Sequence, residues 1–90
     1  MLEIKDGSIF RKDMKKVQKQ GKDFSKLKVI ITKLVNNIEL PKENKDHNLK
    51  GNYKGYRECH IEPDWLLIYK TELENNLLIL YRTGSHSELF

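Results

Sequence analysis

The chain of 90 residues is poor in the features that mark many enzyme classes. It has a single cysteine, Cys59, so no internal disulfide is available and stability rests on packing, as suits a reducing compartment. No apolar run exceeds the five residues of Trp65 to Tyr69 and Leu77 to Tyr81, which argues against a membrane span and against a signal-peptide core after Met1. Neither a phosphate-binding P-loop nor a dinucleotide glycine fingerprint occurs. Cys59 and three histidines number four potential zinc ligands, yet no C-x₂₋₄-C or H-x₃₋₅-H pair is present, and Cys59 and His60 are neighbours that diverge on a strand. The expectation is a soluble, cytoplasmic protein with one domain over residues 1–90, no cofactor and no metal.

What is present is enough apolar side chain to fold. Leu, Ile, Val and Phe make up 26 of 90 residues, which exceeds the level of a disordered chain although a third of the residues are charged. A chain this long buries roughly 64% of its unfolded surface, one small core. The net charge of +4 is unevenly spread: residues 1–57 hold 15 Lys/Arg against 7 Asp/Glu, and residues 58–90 hold 2 against 6. Such a split reads as a surface for a polyanion joined to a part with another task. The lysines of the first half fit solvated helix faces. Lys50, Lys54 and Arg57 interleave with Tyr53 and Tyr56 and fit phosphate contact, with bases or sugars stacking on the rings.

Leu2 to Lys5 reads as a short strand, followed by a turn and helix N-terminus at Asp6-Gly7-Ser8. A narrow stripe of Ile9, Phe10, Met14 and Val17 predicts a basic helix over 8–20 that Gly21 terminates. Phe24, Leu27, Ile30, Ile31, Leu34, Val35 and Ile38 predict a second helix with Asp23 as N-cap and Pro41 beyond its end. Residues 41–48 read as a loop. Strands follow over about 56–61, 65–71 and 77–83, joined by turns at Glu62-Pro63-Asp64 and Glu74-Asn75-Asn76. The order β-α-α-β-β-β gives an α+β fold, with two helices packed on one face of a mostly antiparallel four-stranded sheet and the opposite face open. Alternation sends Cys59 and Ile61 to the core, and Glu58 and His60 to the open face. The same alternation puts Arg57 on the core side, against a phosphate role unless a bulge re-aims it.

His47 in the loop, His60 on a strand and His86 in the tail can be brought together by this topology. Imidazoles supply both halves of acid–base chemistry near neutral pH. RNA carries its own nucleophile, the 2′-hydroxyl, so a base, an acid and cations for the phosphorane suffice. Each residue has a plainer role as well: His60 as a half-exposed strand residue, His47 as a loop contact of Asp46, His86 as a tail residue. Asp64 suits the turn after Pro63, Trp65 suits the core, and Glu58 suits a solvent-facing strand position.

The runs Asp46-His47-Asn48-Leu49-Lys50-Gly51, Lys54-Gly55-Tyr56-Arg57-Glu58-Cys59-His60-Ile61-Glu62-Pro63-Asp64-Trp65 and Arg82-Thr83-Gly84-Ser85-His86-Ser87-Glu88-Leu89-Phe90 resemble the YafQ-like branch of the RelE toxin superfamily. The resemblance covers essentially the whole chain. It implies a RelE-like fold and the toxin of a bacterial type II toxin–antitoxin pair, an endoribonuclease that cleaves mRNA, in many relatives on the ribosome. It also implies a cognate antitoxin as partner. Carried over residue by residue, the active region falls on His47, His60, Asp64, Trp65, His86 and Phe90. Glu58 joins the acid–base set, and Lys50, Lys54, Arg57 and Arg82 take supporting, substrate-binding roles. Trp65 or Phe90 would pack against a base. The competing reading is a non-catalytic RNA- or ribosome-binding module whose basic face a protein partner covers.

Overall fold

A computed structural model describes residues 1–90. Strand β1 (Glu3–Asp6) leads into helices α1 (Ser8–Lys19) and α2 (Phe24–Val35), and strands β2 (His47–Asn48), β3 (Arg57–Glu62), β4 (Trp65–Glu72) and β5 (Leu77–Gly84) follow, with a last helical turn α3 (His86–Leu89). Gly21, at φ +73°, ends α1 in the left-handed conformation that a side chain would strain. Asp23 starts α2 by accepting the Ser25 N–H at 2.9 Å, a cap that contributes about 1 kcal/mol.

The sheet has five strands in the order β1-β5-β4-β3-β2 rather than the expected four. β1 runs parallel to β5, while the remaining pairs are antiparallel, so the sheet is mixed. The fifth strand is β2, which lies inside the stretch read as a loop; two residues are too few to display an alternation of apolar and polar positions.

Helices α1 and α2 cover one face. Phe10 and Val17 from α1, and Leu27, Ile30, Leu34 and Val35 from α2, pack with Cys59, Trp65, Leu67, Tyr69, Leu78 and Leu80. Ile38, counted in the helical stripe, falls beyond the end of α2 and is exposed. The opposite face is not wholly open, which corrects the sequence expectation. Leu66, Ile68 and Leu89 form a second, smaller core there, flanked by Leu49, Tyr53, Tyr56 and Tyr81. Fully burying each such aliphatic side chain contributes about 1.5–3 kcal/mol, enough to seat α3 on the sheet.

Two irregularities reset the alternation of side chains. Opposite β4, His60 pairs with Leu66 and Glu62 with Trp65, leaving Ile61 as an extra residue. Between β4 and β5, Ile68 pairs with Arg82 and Tyr69 with Leu80, so Tyr81 is extra. Leu80 and Thr83 lie towards the helices, and the bulge lets both Tyr81 and Arg82 point to the other face. Gly84 completes the approach of α3: a Cβ there would lie 3.1 Å from Glu88 Oε1 and 3.5 Å from the Leu89 side chain.

Candidate active site

Four connected pieces of chain meet on the face opposite the helices. β2 presents His47 directly across from Glu58 on β3, and His60 follows two residues on, on the same face. The β3–β4 turn supplies Asp64, and α3 supplies His86. Glu58 is buried, 4% exposed, and one of its oxygens, Oε1, lies 3.5 Å from His60 Nε2 and 3.7 Å from His47 Nε2. The His60 and His86 rings are 5.5 Å apart between centroids.

Each histidine has an acceptor at the same ring position. His47 Nδ1 lies 2.6 Å from the Lys45 carbonyl, His60 Nδ1 3.3 Å from the Pro63 carbonyl, and His86 Nδ1 3.0 Å from Asp64 Oδ1. An acceptor at Nδ1 holds the N–H there, so Nε2 is left as the atom that can take or give a proton. Asp64 Oδ1 also accepts the backbone N–H of His86 at 3.0 Å. That backbone hydrogen bond, joined by the ring contact, holds the Asp64 carboxyl below the usual carboxylate range. It therefore stays ionised and orients His86.

The tail that carries His86 is tied down by its own sequence. Ser85 and Glu88 form a reciprocal capping box, with Ser85 N–H donating to Glu88 Oε1 at 2.8 Å and Glu88 N–H to Ser85 Oγ at 3.3 Å. Lys16 Nζ lies 3.2 Å from the same carboxylate and Gln20 donates to it at 3.1 Å. The Ser85 backbone N–H, aided by Lys16 and Gln20, brings the Glu88 carboxyl down to about 2. The Ser-x-x-Glu spacing of residues 85–88 is the sequence signal for this box. Tyr53 adds a hydroxyl hydrogen bond to the Leu89 carbonyl at 3.1 Å and an edge contact with Phe90, ring centroids 5.4 Å apart.

The remaining expected site residues separate into three groups. Phe90, 60% exposed, lies beside His86 with centroids 6.4 Å apart and offers the part of its ring that Tyr53 leaves uncovered. Lys50 and Lys54 are exposed on the connection that carries Tyr53, and Arg82 stands across Ile68 from Glu58, its guanidinium held by two contacts to Asp13 at 2.8 and 3.2 Å. Trp65, in contrast, is fully buried, donating its indole N–H to Thr83 Oγ1 at 3.0 Å, so its core role prevails over stacking on a base. Arg57 faces the helix side beside Tyr69, as its parity required, and pairs with Asp46 at 3.1 Å away from the histidines. No bulge re-aims it. Asp13 and Asp46, which hold the two arginines, carry no local sequence pattern that marks them.

Glu58, His60 and His86 each offer a ligand atom, all within 4.8 Å of one another, so they can hold a metal ion. Cys59, the ligand weighed from sequence, points into the core, and burial pushes its thiol up to about 12. The acidic ligand is its neighbour Glu58.

A five-stranded mixed sheet with two helices on one face, and three imidazoles gathered with Glu58 and Asp64 on the other, is the α+β architecture of a known toxin class. The chain belongs to the YafQ family, bacterial toxins of type II toxin–antitoxin systems, whose family model matches residues 2–90. It is 52% identical over 82 residues to the mRNA interferase toxin YafQ of Escherichia coli K12, covering 90% of this chain and 87% of that protein. A metal-bound toxin from Helicobacter pylori has the same fold with a TM-score of 0.94 and 44% identity over 100% of both chains. YafQ in the E. coli DinJ-YafQ complex superposes with a TM-score of 0.89 at 47% identity, covering 100% of this chain and 99% of that one.

Proposed function

We propose that this chain, an mRNA interferase toxin of a type II toxin–antitoxin system, cleaves RNA by acid–base catalysis that recruits the substrate's own 2′-hydroxyl and needs no metal. The observation that carries the reading is the grouping of buried Glu58 with the half-buried His60 and exposed His86 imidazoles, ligand atoms within 4.8 Å of one another.

A base removes the 2′-hydroxyl proton as that oxygen attacks the adjacent phosphorus. The bond from phosphorus to the 5′-oxygen breaks, and an acid delivers a proton to the departing oxygen, leaving a 2′,3′-cyclic phosphate and a 5′-hydroxyl. His60 Nε2, flanked by Glu58, and His86 Nε2, oriented by Asp64, take the two proton-transfer tasks, with His47 completing the set from the far side of Glu58. Arg82 and the lysines of the 49–56 connection stabilise phosphate charge, and Phe90 stacks on a base. The message is met on the ribosome. A cognate antitoxin, in the manner of DinJ with E. coli YafQ, covers the basic face and silences the toxin.

The test is cleavage of mRNA with purified toxin, naked and on translating ribosomes. His60→Ala and His86→Ala each lower the rate by about 10²-fold or more while leaving RNA binding intact. Unchanged rates in both variants, or a salt-sensitive complex that yields no product with the wild type, would overturn the mechanism in favour of a binding module.

A further inference from the structure

We propose that Arg57 is a positioning residue for His47, acting on the reaction from the helix-covered side of the sheet. The inference rests on His47 belonging to the reacting set, as described above.

His47 sits on a sheet-edge strand of two residues, paired through His47 with Glu58 and Asn48 with Arg57 and continued only by the Leu49 N–H donating to the Tyr56 carbonyl at 2.9 Å. So short a ladder is a weak hold against twisting of an edge strand. Alternation puts the side chains of Asp46 and Asn48 on the face opposite His47. Both are gripped there by one guanidinium: Arg57 Nε donates to Asp46 Oδ1 at 3.1 Å and Nη1 donates to Asn48 Oδ1 at 2.7 Å. Tyr69, buried at 2% exposure, donates its hydroxyl to the same Asp46 oxygen at 2.6 Å. The rigid planar fork thus holds the residues on either side of His47.

The ring is tied in turn to that clamped segment, because His47 Nδ1 meets the Lys45 carbonyl at 2.6 Å. With the segment fixed, Nε2 faces Glu58 Oε1 at 3.7 Å. Rolling the strand about its axis would stretch both guanidinium contacts and carry the imidazole away from Glu58. A lysine at 57 could reach one of the two acceptors but could not span them with a fixed geometry. The guanidinium has its Nε and Nη1 committed to protein acceptors, and it lies on the face away from Glu58 and His60.

The experiment is single-turnover cleavage of mRNA on ribosomes with toxin in excess, which separates the maximal rate from the half-saturating concentration. Arg57→Ala should lower the maximal rate about 10-fold or more, the scale of lost outer-shell support. Half-saturation and its salt dependence should stay within about twofold of wild type. In a His47→Ala background, adding Arg57→Ala should lower the rate no further. Additive losses, or a raised half-saturating concentration with a salt slope smaller by about one, would mean direct phosphate contact and would overturn the proposal. Tyr69→Phe keeps the buried ring and removes one hydrogen bond, so it serves if Arg57→Ala fails to fold. It should give a smaller loss with the same non-additivity and a shifted His47 ring resonance. If His47→Ala alone leaves the rate unchanged, the catalytic role of His47 falls, and an unmoved His47 resonance in the Arg57 and Tyr69 variants would separately overturn the clamp.

Discussion

Asp64 holds His86 twice with one oxygen, accepting the backbone N–H and facing the ring Nδ1 at 3.0 Å each. A turn residue of β3–β4 therefore sets both the position of α3 and the direction of the imidazole it carries. Neither contact needs Asp64 to exchange a proton, and its lowered titration keeps it charged through the neutral range.

Replacing Asp64 should act through His86. Asp64→Ala is expected to lower mRNA cleavage by about 10- to 100-fold, the range for loss of a group that orients an imidazole. Asp64→Asn keeps an acceptor for the backbone N–H and should retain more activity. Paired kinetics and His86 ring shifts by NMR check this; wild-type rates in Asp64→Ala would refute it.

The tail should loosen in acid. The folded state depresses the Glu88 carboxyl from 4.5 to about 2, so its stabilisation is complete above about pH 4.5 and is lost as pH falls towards 2. Asp64 shifts in the same direction. Amide exchange at residues 85–89, taken relative to the unstructured rate at each pH, should speed up across that window in the wild type. In Glu88→Gln it should be faster already at pH 6, with a flatter dependence below.

Metal should compete with catalysis. Cleavage is expected to persist in EDTA, whereas added Zn²⁺ or Cu²⁺ would occupy the nitrogens of His60 and His86 and slow the reaction. Glu58→Gln should weaken metal binding measured by calorimetry. Cleavage that stops in EDTA and returns with a divalent ion would reverse the assignment of roles.

Cys59 should be chemically silent. Its thiol is fully buried and held up at about 12, so iodoacetamide at pH 8 should leave the folded toxin unlabelled and active, and label it only after denaturation. Mass spectrometry of native and unfolded samples reads this directly.

The parts of the fold legible in the sequence are those with long, unbroken periodicity. α2 shows its buried face through Leu27, Ile30, Leu34 and Val35, and β3 shows Cys59 inward with Glu58 and His60 on the other face. The parallel pairing of β1 with β5 is a non-local choice that four residues cannot announce. Nor can two residues announce β2, so the pairing of His47 across from Glu58 leaves no trace in the sequence pattern. Alternation places Arg57 on the helix side, where it lies, and the extra residue in β5 is marked by no glycine or proline. The family resemblance drew the histidines and Asp64 into one set, and spacing alone could not.

That extra residue sets two consecutive side chains, Tyr81 and Arg82, on one face of β5, where strict alternation would allow one. Losing a single codon there would restore plain alternation, leaving Arg82 across from Ile68 and removing the ring that Tyr53 and Tyr56 pack against. Relatives without that extra residue would keep the cation on this face and lose the tyrosine beside it.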